Sequence, residues 1–178
     1  MQTFTSDVGS RSAVGIEIRP LAATDRAGLA AAFARLGEQT RWRRFRGLAS
    51  RLSERDLDRL TRIDHHEHEA LAAIAPDGGR IVGVARYIAL PHDSGAAEVA
   101  VAVDDEWQGR GIGRRLMREL VDRARAEGYT RLLAYVGADN RTVLAWIARA
   151  GGVAGAHGGD AIVYSIPLER PSEDRRAA

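Results

Sequence analysis

Seven residues, Trp107-Gln108-Gly109-Arg110-Gly111-Ile112-Gly113, constrain this chain more than any other stretch. They follow a Val-rich alternating run, Ala97-Glu98-Val99-Ala100-Val101-Ala102-Val103, and precede an amphipathic pattern over about residues 111–127. In that pattern Ile112, Leu116, Leu120 and Ala124 form one stripe, Met117 and Val121 flank it, and Gly128 ends it. The local order is strand, glycine turn, helix. Three alternating glycines let the backbone turn tightly and gather several N–H groups toward one point. The helix N-terminus adds the positive end of its dipole, and Arg110, Arg114 and Arg115 add charge, so a phosphate or pyrophosphate suits the turn. Taken alone, the glycines fit equally well a strand–helix turn that holds nothing. Arg114 stands where the dinucleotide fingerprint needs a small residue, and the chain has no Lys for a phosphate-binding P-loop.

Two absences narrow the chemistry. Without Cys there are no disulfides, thiolate zinc sites, iron–sulfur clusters or cysteine nucleophile. All 26 basic residues are Arg, which excludes Lys-dependent kinase chemistry and Schiff bases and leaves no lysine side chain for self-modification. The net charge is only +2 and aromatics make up 6%, against a basic stripe with interleaved rings, so nucleic acid is not an expected partner. No apolar run approaches the roughly 18 residues of a membrane span. The start, MQTFTSDVGS, has neither the basic head nor the apolar core of a secretory signal, so a cytoplasmic protein is expected.

A length of 178 residues without repeats or a linker predicts one domain over 14–168, with flexible polar tails at 1–13 and 169–178. Ile16–Arg19 alternates like a short strand ending at Pro20, and Thr24 is placed to cap a helix with Leu29, Ala32, Phe33 and Leu36 on one side. Short helices are expected at 40–46 and from Ser53 to Thr61. Residues 69–75 and 80–90 flank Pro76-Asp77-Gly78-Gly79 and predict an antiparallel hairpin. A break over Pro91–Gly95 leads to the Val-rich strand, with Glu98 on the face of Ala100 and Ala102. A strand at 130–136, a helix at 140–150 closed by Gly151-Gly152, and a strand from Ala161 to Pro167 complete an α/β fold with mixed strand order and helices over the sheet.

With those elements in place, Gln108-x-Arg110-Gly111-x-Gly113 after a Val-rich strand resembles the acyl-CoA signature of the GNAT N-acetyltransferases. Asn140, a short helix and Gly151 match that superfamily's second cofactor-side segment, and the resemblance spans about residues 16–167. It implies a mixed central sheet with a splayed pair of strands and helices on both faces. It also implies that Gln108, Gly109, Arg110, Gly111, Ile112, Gly113 and Arg114 hold the CoA pyrophosphate. Val101, Ala102 and Val103 would pair with the pantetheine arm, and Asn140 would contact the cofactor. Within the superfamily the chain is most similar to the Pat-type protein lysine acetyltransferases. That resemblance rests on Arg41-Trp42-Arg43-Arg44-Phe45, Leu52-Ser53-x-x-x-Leu57, Leu60-Thr61-x-x-Asp64, Ala70-Leu71 and Ala97-Glu98-Val99-Ala100-Val101. Members of that branch often carry a sensor module, for which 178 residues leave no room.

Acetyl transfer to an amine needs a free lone pair, and a lysine of ordinary pKa about 10.4 gives up its proton at pH 7 at a cost of roughly 4–5 kcal/mol. A carboxylate near the thioester accepts that proton directly or through water. Glu98 matches the family's glutamate base; the competing reading is a solvent-facing strand Glu. Many members place a Tyr seven residues after this Asn to protonate the thiolate, and here that residue is Ile147. Gly152, where many carry Phe, is a second departure. The segment Asp64-His65-His66-Glu67-His68-Glu69 invites a metal reading, but no distant ligand is evident and a polar rim of the acceptor channel is preferred, with no metal. Trp42 and Phe45 either line the protein-substrate side or form a core aromatic under a solvated Arg face; Trp107 and Trp146 are read as packing.

The expected activity is therefore acetyl-CoA-dependent N-acetyl transfer to a protein lysine, by direct attack in a ternary complex with Glu98 as base. Acetyl-CoA is the co-substrate, and the protein substrate implied by the branch is an AMP-forming acyl-CoA synthetase. The alternatives are a small-amine acetyltransferase (aminoglycoside, polyamine or amino acid) and a non-catalytic acyl-CoA-binding regulatory module. The expectation leaves room for a homodimer.

Overall fold

The computed structural model describes residues 15–45, 51–76, 78–158 and 161–168. The tails expected at 1–13 and 169–178 lie outside the described residues. The strands are β1 (Glu17–Pro20), β2 (His68–Ile74), β3 (Ile81–Leu90), β4 (Asp93–Val103), β5 (Arg131–Gly137), β6 (Val153–Gly158) and β7 (Ala161–Pro167). The helices are α1 (Arg26–Arg35), α2 (Glu38–Phe45), α3 (Glu54–Thr61), α4 (Ile112–Ala126) and α5 (Arg141–Arg149). One mixed sheet has the order β1-β2-β3-β4-β5-β7-β6. The expected α/β fold, with a mixed sheet and helices on both faces, is the one observed.

Strand periodicity sorts the core into two layers. Leu71, Ala73, Ala85, Ala97 and Val99 face the α4 stripe of Ile112, Leu116, Leu120 and Ala124, all buried. Ala70, Ala72, Ile74 and Ile81 face the other way, against Leu29 of α1 and Leu57 and Leu60 of α3. Ser53 caps α3 reciprocally with Asp56.

Three elements differ from the sequence reading. Thr24 does not cap α1: it lies inside a 3₁₀ turn, Ala23–Asp25, and the helix starts one residue after that turn. β4 begins at Asp93 rather than near Ala97, because Leu90 and Asp93 pair across a tight connection and leave little of the expected break. β6 was not anticipated. Val153–Gly158 is poor in β-branched residues, and it is a strand because β7 offers it an edge to pair with.

The decisive feature of the sheet is a split. β4 and β5 run parallel and pair at Ala96–Arg131, Ala97–Leu132 and Glu98–Leu133, and there the pairing stops, although the strands continue to Val103 and Gly137. β4 stays paired to β3 as far as Gly83–Val103, and β5 stays paired to β7 as far as Gly137–Ala161. The two halves of the sheet therefore diverge beyond Glu98.

Candidate active site

The split leaves backbone groups of β4 to be satisfied by something other than β5. The Asp104 amide donates to Val82 O at 2.9 Å, toward β3. Strand alternation therefore sends the N–H and C=O groups of Val101 and Val103 toward the opening, together with the C=O of Val99, whose N–H closes the last pair with β5. Ala102, expected to pair with a bound arm, directs its backbone groups to β3 instead, and Val103 O already accepts from Gln108 Nε2 at 3.0 Å. Val99 offers a ligand only its C=O, since its N–H is used in the last β4–β5 pair, and which side a backbone group faces depends on pairing, not on residue type.

At the wide end of the opening lies the glycine turn. Gly109 and Gly111 have φ of +72° and +78°, in the left-handed region that side chains disfavour. Neither would meet an atom within 4 Å if given a Cβ, so these two glycines serve conformation and leave open space. Gly111 is the N-cap of α4, and the Arg115 amide makes a bond to Gly111 O at 3.1 Å. The amides of Ile112, Gly113 and Arg114 precede the first intrahelical bonds and face the loop, as at any helix start. The Ile112 side chain is buried in the core, so only its backbone is available to a ligand. Arg110 stacks on the Trp107 ring at 4.4 Å and donates to Glu106 O. Arg114 is exposed, whereas Arg115 reaches back to Ile16 O at 3.2 Å. Gln108 commits its side-chain amide to Val103 O, Asp105 and Thr40, which makes that side chain a tie within the loop. Open space beside left-handed glycines and free helix amides is what a diphosphate requires. On the far side, Asn140 is the N-cap of α5, its Oδ1 accepting from the Val143 amide, which leaves Nδ2 as the group a ligand could meet.

Glu98 is exposed and belongs to the last pair before the strands part. Its partners across β3 and β5 are Ile88 and Leu133, so all three side chains share one face of the sheet. Tyr135 and Val153 reach the same face through the β5–β7 and β7–β6 registers, and with Ile88 they are exposed apolar side chains. Trp42 of α2 is likewise exposed, which removes the core-aromatic reading for it; the Phe45 side chain lies outside the described residues.

The His-rich segment does not form one rim. Glu69, almost fully buried, accepts from Arg123 of α4 at 3.0 Å and from the Ala70 amide, and its Oε1 lies 3.0 Å from His65 Nδ1. His66 pairs with Glu127, a contact that raises the imidazole pKa. These groups stand on the α4 side of the sheet, opposite to Glu98. Only His68 shares the face of Glu98, in the register row His68–Ile88–Glu98, and it is buried. Its Nδ1 donates to Arg62 O at 3.0 Å, and Arg86 donates to its Nε2 at 3.1 Å. Burial, then the Arg86 charge, holds its pKa below the usual value.

The two departures from the family pattern prove to be coupled. Ile147 is fully buried, and a Cβ on Gly152 would overlap its Cγ2 methyl. Gly151 (φ +73°) and Gly152 close α5 by donating to Ala148 O and Ile147 O. The methyl of Ile147 thus occupies the space that a side chain at position 152 would need.

The profile of the acetyltransferase (GNAT) family matches residues 37–151. The chain belongs to the GNAT acetyltransferase family. It is 36% identical over 128 residues to an acetyltransferase of Pseudomonas aeruginosa, covering 71% of this chain and 68% of that relative. It is 32% identical over 115 residues to acetyltransferase Pat of Mycolicibacterium smegmatis, covering 65% of this chain and 34% of Pat, so it spans about a third of that relative. The crystal structure of the GNAT domain of S. lividans PAT superposes with a TM-score of 0.78 at 25% identity, covering 85% of this chain and 90% of that one. As a GNAT member the protein is an acetyl-CoA-dependent acetyltransferase. No helix among the described residues is long and apolar enough to cross a membrane.

Proposed function

We propose that this GNAT enzyme acetylates lysine side chains of a protein, an AMP-forming acyl-CoA synthetase, with Glu98 as general base. The observation that carries the reading is the setting of Glu98: an exposed carboxylate at the vertex of the strand split, on a sheet face bearing exposed Ile88, Tyr135 and Val153. A small amine is held best in an enclosed pocket with converging polar groups. Among the described residues, a hollow on this side of the sheet, lined by Leu29, Phe33, Leu60, Val84 and Arg86, does not include Glu98. An open platform suits a lysine presented by a folded surface, and the similarity to Pat supports the same substrate class.

The amides at 109–114 would hold the pyrophosphate, the outward backbone groups of Val101 would order the arm, and Nδ2 of Asn140 would meet the cofactor from the opposite side. The lysine amine approaches from the Glu98 face, and Glu98 takes its proton directly or through one water. The nitrogen forms its bond to the acetyl carbonyl carbon, the carbon–sulfur bond breaks with its electron pair on sulfur, and the second proton that the nitrogen sheds passes through water to the thiolate. Ile147 is apolar and buried, so it donates none.

The test measures thiol release from acetyl-CoA, with a purified acyl-CoA synthetase as acceptor, for wild type and Glu98→Gln. The expected result is a fall of roughly 10²-fold in rate with acetyl-CoA affinity unchanged. Turnover that survives the substitution removes Glu98 from the role. Turnover on a panel of small amines but not on the synthetase overturns the protein-lysine reading, and tight acetyl-CoA binding without turnover on either favours a regulatory module.

A further inference from the structure

Helix α2 is fastened at both ends to the two loops that flank the strand split. At its start, the Gly37 amide donates to Asp105 and Thr40 Oγ1 donates to the same carboxylate at 2.6 Å. Gln108 Nε2, in the glycine turn, bonds Thr40 Oγ1 at 3.3 Å. These contacts tie the first turn of α2 to the loop after β4. Further along the helix, Arg43 donates from Nε at 3.0 Å and from its terminal nitrogen at 2.7 Å to Asp139 Oδ2, in the loop after β5 and next to Asn140. The pair joins residues 96 apart in sequence. β4 and β5 part at Glu98–Leu133, so the three elements enclose a window: two strands for its sides and α2 as a crossbar over its wide end.

We infer that the Arg43–Asp139 pair is the catch that holds α2 across this window, and that it positions the helix over the pantetheine arm of a bound acyl-CoA. Arg43 and Asp139 are then positioning residues, acting through α2. The inference rests on the reading that residues 109–114 hold the pyrophosphate. An arm that runs from that loop toward Glu98 must pass the crossbar, whereas a ligand that ends at the pyrophosphate never reaches it. Arg43 is about one-third exposed and Asp139 more so, at 31% and 60%, which makes the tie a solvent-screened pair of modest strength.

The experiment titrates acetyl-CoA, and separately 3′-phospho-ADP, into wild type, Arg43→Ala, Asp139→Ala and the exchanged double variant Arg43→Asp/Asp139→Arg, with the dissociation constant as readout. Each single variant should bind acetyl-CoA about three- to fivefold more weakly. Their affinity for 3′-phospho-ADP should stay at the wild-type value, and the exchanged pair should regain most of the acetyl-CoA affinity. Unchanged acetyl-CoA affinity in the single variants overturns the inference alone. So does an equal loss for both ligands, which marks damage to the loops, or an exchanged pair no better than the single variants. A wild type that binds neither ligand overturns the cofactor reading, and the inference with it.

Discussion

Gly111 and Gly113 stand two residues apart, and alanine should act on them with opposite sign. Gly111 caps α4 at φ +78°, in a conformation that costs an L-residue roughly 1–2 kcal/mol. An added Cβ there meets nothing within 4 Å, so the whole penalty is conformational and no clash contributes. Gly113 lies in the first turn of α4 with an ordinary helical backbone, and its added Cβ would touch Val103 Cγ2 at 3.5 Å, a normal van der Waals distance. Alanine in a helix is favoured over glycine by about 0.5–1 kcal/mol. The two variants should therefore differ by roughly 2 kcal/mol, Gly111→Ala below wild type and Gly113→Ala at or above it. For a chain of this size each kcal/mol moves Tm by about 2–4 °C. Urea denaturation gives the free energies directly, with an unchanged slope if both act on the native state. Gly111→Asn should lose less than Gly111→Ala, because Asn tolerates the left-handed region. A Gly111→Ala protein as stable as wild type, or a Gly113→Ala protein that loses as much, would refute the account of the turn.

Two further outcomes follow from neighbouring contacts. Gly152→Ala should cost about 1–3 kcal/mol by overlapping Ile147 Cγ2, and the same change on an Ile147→Ala background should cost much less, which a double-mutant unfolding cycle measures. The histidines give opposing pH slopes. Burial and Arg86 depress the folded pKa of His68, so its contribution is present above the unfolded value of about 6.5 and is lost as pH falls through the folded value. The bond to Glu127 raises the pKa of His66, so its contribution is complete below about pH 6.5 and is lost as pH rises through the folded value. Stability measured from about pH 5 to 8 should decline less on the acid side in His68→Gln and less on the alkaline side in His66→Gln. Unchanged slopes would refute the assignment.

Much of the candidate site is legible in the sequence. The Val-rich strand, the glycine turn and the stripe of Ile112, Leu116, Leu120 and Ala124 are local patterns, and each became the element its periodicity requires. The left-handed turn was written in Gly109 and Gly111, since few other residues adopt that backbone. The side of β4 that carries Glu98 also followed from alternation alone, and its partners on that face came with the register.

Other features depend on pairings between distant residues, which no local pattern encodes. β6 is a strand through the edge that β7 offers to Val153–Gly158. The His-rich segment looked like a single rim, but a strand sends alternate side chains to opposite faces, so Glu69 met Arg123 while His68 met Arg86. That β4 and β5 part after Glu98 is a matter of where parallel pairing ends, and both strands carry good strand sequence beyond that point. The crossbar of α2 needs Asp105 and Asp139 brought to its two ends by separate halves of the sheet. Sequence determined what most segments are, β6 excepted, through periodicity and backbone preference; the tertiary structure decided which groups meet across the split, because side-chain bonds between distant segments form only where the packed sheet holds their ends a few ångströms apart.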